Sequence, residues 1–261
     1  MKKLIIVEGL PCSGKSTTSK YIANRLNAKY FDEGSGLHPA DYEFHAFIKN
    51  SDLNNFSNDE QKLIKADSIQ KFDGYIVELK KYTGDFFDRL LKYKIYDFLP
   101  WETEKPIMLD KWSEFVNSIA PGDRYVFNCV LLQNPMCETM MRFGFDTAVS
   151  AEYIGEICNI IKPLEPFVVY LKYDNIRSEI EKAVSERDIN WLNGVIEYHC
   201  NGMYGRANHL NGFDGYITAL EERQRRELEI LQSLNIQYVI LDNPYKDWEE
   251  SYSEIISKLN I

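Results

Sequence analysis

The chain has 261 residues, 44% hydrophobic, 13% aromatic and 27% charged, with 30 Lys and Arg against 40 Asp and Glu. That length buries a substantial core without disulfide or metal staples. The net charge of −10 excludes a protein that holds nucleic acid chiefly by neutralising phosphates, and the 14 Gly and 9 Pro exclude collagen-like or low-complexity chains.

Met1-Lys2-Lys3 precedes an apolar run, Leu4 to Val7, that stops at Glu8. The run is shorter than an export signal needs, and no stretch approaches the roughly 20 apolar residues of a membrane span. The chain therefore reads as cytoplasmic, with no membrane or nucleic-acid partner. The cysteines at 12, 129, 137, 158 and 200 are odd in number and form no C-x-x-C pair, so no disulfide framework or zinc site is expected. His199, Cys200 and His209 lack a fourth ligand.

Lys2 to Val7 predicts a strand buried on both faces, Lys15 to Leu26 a helix, and Lys29 to Phe31 a short second strand ending at Asp32-Glu33. From 34 to 122 the chain becomes rich in charge, Tyr and Phe at helical spacing, as in Leu79, Phe86, Phe87, Leu90 and Leu91, then Met108, Trp112 and Phe115. Strand patterns return at Tyr125–Leu132, Phe167–Tyr173 and Gln237–Leu241, with helices predicted at about 151–162, 175–186, 216–233 and 245–259. Alternating strands and helices predict an α/β fold in three layers. Its sheet is mostly parallel, helices cover both faces, and ligands sit beyond the carboxyl ends of the strands. Glu221 to Glu227 alternates both charge signs and reads as a solvated helix face with intrahelical pairs.

Between the first strand and the first helix, Gly9-Leu10-Pro11-Cys12-Ser13-Gly14-Lys15-Ser16-Thr17 matches G-x-x-x-x-G-K-[ST]. Glycines let the backbone curl so that successive N–H groups point at phosphate oxygens, and the helix adds its free amides and positive dipole end. Gly9, Pro11, Cys12, Ser13, Gly14, Lys15, Ser16 and Thr17 are thus expected to cradle ATP. Lys15 should reach the β- and γ-phosphates and Ser16 should ligate Mg²⁺.

On those residues, placed directly after the first strand, the chain resembles the P-loop kinases of the nucleoside and nucleotide kinase type, the group of thymidylate kinase and the deoxynucleoside kinases. The order of elements is also similar over nearly the whole chain. The resemblance implies a single domain, 1–261, that moves the γ-phosphoryl group of ATP to a hydroxyl or phosphate of a small molecule, a nucleoside or nucleotide first. It implies that Glu33, just past the second strand, takes the proton from the acceptor hydroxyl. Asp32 would hold either the substrate or a magnesium-bound water, with His38 and Asp41 as further substrate contacts. It also implies that 34–122 is a helical insertion covering the acceptor, and that 188–215 is a mobile lid. Arg187 would act on the transferring phosphoryl group, with Arg177 and Arg206 as further lid cations. Asn243-Pro244-Tyr245 would pass along the adenine.

Departures from the pattern are plain. Asp123-Arg124-Tyr125 spells the thymidylate-kinase tripeptide but precedes its strand instead of following it, and Gln133-Asn134 supplies no acid where the third strand is predicted to end. Asp110 follows Ile107-Met108-Leu109 at helical spacing and reads as a solvated helix residue. No Asn-Lys-x-Asp guanine-reading element is present. The aromatics of 34–122 serve either as core or as a sandwich for a base or sugar. The sequence leaves open a sugar or antibiotic kinase, a nucleotide-hydrolysing switch without a small acceptor, the choice of ATP over GTP, and the oligomeric state, a homodimer included. Relatives often have Gly where Cys12 stands, and a thiol beside loop amides and Lys15 is expected to be reactive. Alkylation of Cys12 should abolish nucleotide binding, as calorimetry with Mg·ATP before and after complete modification will read.

Overall fold

The computed structural model describes residues 2–185 and 187–259, and the chain divides into two compact units, Met1–Ser35 with Trp112–Ile261, and Gly36–Lys111. The larger unit opens with β1 (Leu4–Gly9), α1 (Lys15–Leu26) and β2 (Lys29–Phe31). The smaller unit follows. It holds β3 (His45–Lys49), α2 (Asn58–Asp67), β4 (Ile69–Lys71), β5 (Gly74–Glu78), α3 (Gly84–Leu91), the turn α4 (Ile95–Phe98) and the start of α5 (Trp101–Ser118).

The 34–122 segment is therefore not simply helical, and its compact part runs from Gly36 to Lys111. Its three strands pair antiparallel in the order β3-β5-β4 around Ala46, Ile48, Phe56, Ile64, Val77 and Leu90. The hairpin turns through Phe72, at φ +51°, and Gly74 is needed where a Cβ would fall 2.3 Å from the Ile48 carbonyl oxygen. Strands of three and five residues bearing Lys, Gln and Glu carry too little alternation to outweigh the helical spacing of the aromatics. Ser57 and Glu60 form a reciprocal capping box at the start of α2.

The larger unit resumes with β6 (Tyr125–Asn128), α6 (Gln133–Met136), which runs into a π-helical turn at Cys137–Arg142, and α7 (Thr147–Ile161). It continues through β7 (Phe167–Lys172), α8 (Ile176–Ser185), α9 (Ile189–Asn201), α10 (Met203–Ala207), α11 (Gly212–Ser233), β8 (Gln237–Asp242) and α12 (Trp248–Leu259). Residue 186, the predicted end of the helix before Arg187, lies outside the described residues.

Five strands form one parallel sheet in the order β2-β6-β1-β7-β8. β1 lies at its centre because every residue from Leu4 to Val7 is apolar and fully buried, each such side chain contributing about 1.5–3 kcal/mol. Ile5 and Val7 pack with Ile22 of α1 and Ile255 and Leu259 of α12 on one face. On the other face Trp112 and Phe115 of α5 pack against Phe127. There too Tyr170 of β7 donates to Glu227 of α11 at 2.6 Å. Chain order reverses across β1, which makes its carboxyl end the crevice where ligands collect in such sheets.

Two further readings change. The 188–215 stretch is helical, with Asp188 capping α9. Two of its glycines are close-packing points: a Cβ on Gly202 would fall 2.2 Å from the Met141 oxygen, and one on Gly205 2.3 Å from the Cys200 oxygen. In α11 the charged pairs appear as expected, Arg225 with Glu222 and Glu229, and the part-buried Arg226 with Glu222. Arg223 and Glu227, one turn apart on the face of Tyr216, Leu220 and Ile230, are instead fully buried as an ion pair at 3.1 Å.

His199 on α9 is buried with Nδ1 at 2.7 Å from the Val195 oxygen, and burial, aided by Arg223, lowers it to about 4. The unfolded chain, titrating near 6.5, takes up this proton first. Stability is thus lost as pH falls from 6.5 toward 4, on the order of 3 kcal/mol from this group alone. Thermal melts across that range should show a smaller acid loss for His199→Gln than for the wild-type chain.

Candidate functional site

The segment from Gly9 to Thr17 wraps around the amino end of α1. Gly9 (φ +146°) and Gly14 (φ +89°) take backbone conformations open to glycine, and an added Cβ on Gly14 would fall 2.5 Å from the Trp248 ring. Leu10 is buried with Tyr173, Ile176, Ile180 and Tyr216, which anchors the loop to α8 and α11. α1 begins with no side-chain cap and no acid in its first turn. Its first amides and positive end therefore stay available to an anion. The Lys15 ammonium, buried at the mouth of the loop, donates to the Leu10 carbonyl at 2.8 Å.

β6 ends at Asn128 and not at Leu132, so the residue at its carboxyl end is Asn128 and Gln133-Asn134 lies in α6. β2 and β6 are neighbours with Phe31 opposite Phe127, which brings Asp32 and Asn128 together. Asn128 Nδ2 donates to Asp32 Oδ1 at 2.6 Å and to Ser16 Oγ at 3.0 Å, and Ser16 Oγ donates to Asp32 Oδ1 at 3.3 Å. Partial burial pushes the Asp32 carboxyl up, but the hydrogen bonds led by Asn128 outweigh it and hold the group below its ordinary value. A hydroxyl beside an ionised carboxylate fits a hard divalent cation. Among the described residues no three His, Cys, Asp or Glu side chains form an all-protein cage, so such a cation would draw its remaining ligands from phosphate and water.

Glu33, next in sequence, is held at both oxygens. Cys129 Sγ donates to Oε2 at 2.9 Å and Gln133 Nε2 donates to Oε1 at 2.7 Å. Neither partner carries a sequence signal, because each becomes a neighbour of Glu33 only through the pairing of β2 with β6. Cys129 is buried in the left-handed region at φ +49°. The turn it begins is gripped from below by Glu8, whose buried carboxylate accepts the amides of Leu131, Leu132 and Gln133 at 2.7, 2.9 and 3.1 Å. The apolar pattern of β1 concealed Glu8, which reads as the mere end of a strand.

The other expected residues make contacts of their own. Arg187 lies 4.6 Å over the Trp191 ring. Arg177 is tied to Asp214 at 2.7 Å and to Glu181 at 3.7 Å, and Arg206 is exposed near the end of α10. His38 and Asp41 are buried in the smaller unit. His38 Nδ1 accepts from the Ala40 amide at 3.3 Å, and burial, with Lys111, lowers its pKa to about 3. Asp110 pairs with Lys71. Asp123 pairs with Lys29 at the amino end of β6, opposite the end that carries Asn128. Past β8, Asn243 Oδ1 accepts from the Asp174 amide at 2.9 Å, and Tyr245 packs on Tyr173.

No family model and no curated protein matches this sequence. Among solved structures, the YorR protein of Bacillus subtilis in complex with phosphorylated GDP is similar at 14% identity over 98% of this chain and 95% of its own, with a TM-score of 0.47. Deoxyadenosine kinase of M. mycoides with bound dATP is similar at 15% over 99% and 100%, TM-score 0.45. Thymidylate kinase of Candida albicans is similar at 14% over 99% and 92%, TM-score 0.42. These neighbours include P-loop kinases, and the chain has the mixed α/β architecture of a central parallel sheet flanked by helices.

Cys12, at φ +66°, occupies the left-handed region in the middle of the loop. A side chain there costs about 1 kcal/mol or more that glycine avoids. Cys12→Gly should raise the urea midpoint by the equivalent of roughly 1 kcal/mol, and Cys12→Ala should not.

Proposed function

We propose that the chain is an ATP- and Mg²⁺-dependent phosphotransferase acting on a hydroxyl of a small molecule, a nucleoside or nucleotide first. The observation that carries this reading is the sharing of one sheet edge by three features. These are an uncapped helix end with Lys15, the Ser16–Asp32 pair, and a Glu33 carboxylate held by two donors.

In this reading the amides of Gly9 to Thr17 hold the triphosphate, and Lys15 leaves the Leu10 carbonyl for the β- and γ-phosphate oxygens. Ser16 and Asp32 would hold Mg²⁺, which would supply charge neutralisation on the phosphate oxygens. Asp32 thus takes the place of the acid that Asn128 lacks. Glu33 accepts the proton of the acceptor hydroxyl at a carboxylate oxygen as that hydroxyl attacks phosphorus. Cys129 and Gln133 fix where that oxygen points, so the base need not search for its partner at the moment of reaction. Arg187, released from Trp191, is the cation assigned to the transferring phosphoryl group. A carboxylate base is needed for an alcohol acceptor and idle for a phosphate acceptor, which favours the hydroxyl.

Incubation with Mg·ATP and a panel of nucleosides, nucleotides, sugars and aminoglycosides tests the reading. It expects little ADP without acceptor and stoichiometric ADP and phosphorylated product with one. Lys15→Ala should lose nucleotide binding. Glu33→Gln should keep the ATP Kd while acceptor phosphorylation falls by about 10²–10⁴. ATP hydrolysis that no acceptor stimulates and Glu33→Gln leaves intact would replace this reading with a nucleotide-hydrolysing switch.

A further inference from the structure

Every residue of β1 is buried, and Leu4 to Val7 are all aliphatic, yet the strand ends on a carboxylate. Burying an acid in place of another Val or Ile costs free energy unless hydrogen bonds to its oxygens offset the lost hydration. Here those bonds come from one turn. Glu8 Oε1 accepts from the Leu131 and Leu132 amides and Oε2 from the Gln133 amide. That turn starts at Cys129, whose left-handed backbone is strained, and ends at Gln133, and these two side chains are the donors on the two oxygens of Glu33.

We propose that Glu8 is a positioning residue: by holding the 131–133 amides it sets Cys129 and Gln133, and through them the carboxylate of Glu33. The inference rests on the reading of Glu33 as the acceptor's base. The geometry makes both oxygens of Glu8 necessary. Protonation turns one of them from acceptor to donor, and a Gln side chain presents an NH₂ to an amide N–H. In both cases one amide of the three loses its acceptor and the turn can shift. A displacement near 1 Å at a catalytic base costs about a hundredfold in rate.

The groups around Glu8 are Glu227, with its partner Arg223, on α11, Tyr170 on β7 and Cys129 on the turn, with Lys15 and Glu33 beyond Cys129. Burial pushes the Glu8 carboxyl up to about 7, Glu227 adds to the rise, and the three amides oppose it. Rate should therefore fall as pH drops through about 7 and the clasp takes up its proton.

The test uses the full chain with an accepted acceptor, comparing wild type, Glu8→Gln, Gln133→Ala and the double variant between about pH 5.5 and about 9. Glu8→Gln should lower kcat by about tenfold to a hundredfold, with the Mg·ATP Kd unchanged within about twofold. It should also lack the wild-type rise in kcat near pH 7, and its Leu131–Gln133 amides should exchange with deuterium about tenfold faster or more. In the Gln133→Ala background the same change should cost less than in the wild-type chain, because one of the two links to Glu33 is already cut. An unchanged kcat and pH profile in Glu8→Gln, or an equal loss in both backgrounds, would overturn the inference while leaving the phosphotransferase reading in place. A wild-type chain that phosphorylates no acceptor would overturn both. Should Glu8→Gln fail to fold, Gln133→Ala decides alone: a diminished rise near pH 7 supports the link, and an undiminished rise refutes it.

Discussion

A helix that starts on a left-handed glycine, with no capping side chain and no acid in its first turn, leaves its leading amides without partners and its positive end uncompensated. In α1 that arrangement is fixed by Gly14, by the Trp248 ring that leaves no room for a Cβ, and by Leu10 buried under α8 and α11. The rest of the larger unit is arranged around this one end. β1 delivers the loop to it from the middle of the sheet, and the carboxyl ends of β2 and β6 bring Asp32, Glu33 and Asn128 alongside.

On the acidic side of the site the strand end and the carboxylate are different residues. The strand end of β6 carries a carboxamide, and the carboxylate stands one strand away on Asp32, joined to Ser16 and to Asn128. Hydrogen bonding from the amide keeps the acid ionised against the cost of its partial burial. Asn128 thereby serves the site as a donor.

Glu33 gains its place in a comparable way. Its two oxygens are met by a thiol and a carboxamide from a turn that is itself strained at Cys129. Strain of this kind persists only where surrounding contacts over-determine it, and the buried Glu8 clasp is such a contact. Two carboxylates, one buried and gripping amides, the other at the sheet edge and gripped by side chains, are thus connected through five residues of backbone.

The sequence by itself determined the Gly9–Thr17 loop at the start of α1 and the alternation of strands and helices, because both are local. Glycine spacing dictates backbone conformation, and a run such as Leu4 to Val7 has no stable place except inside a parallel sheet. Helix α1 and strand β2 have the predicted bounds for that reason. Tertiary structure alone decided the rest. Strand pairing chose Asp32 as the acid beside Ser16 and chose Cys129 and Gln133 as the partners of Glu33, residues about a hundred positions apart. Helix packing buried Arg223 and Glu227 and turned Gly202 and Gly205 into contact points. A hairpin of short, charged strands in Gly36–Lys111 formed where aromatic spacing spoke for helices. None of these follows from local propensity, since each depends on which surfaces meet across the fold.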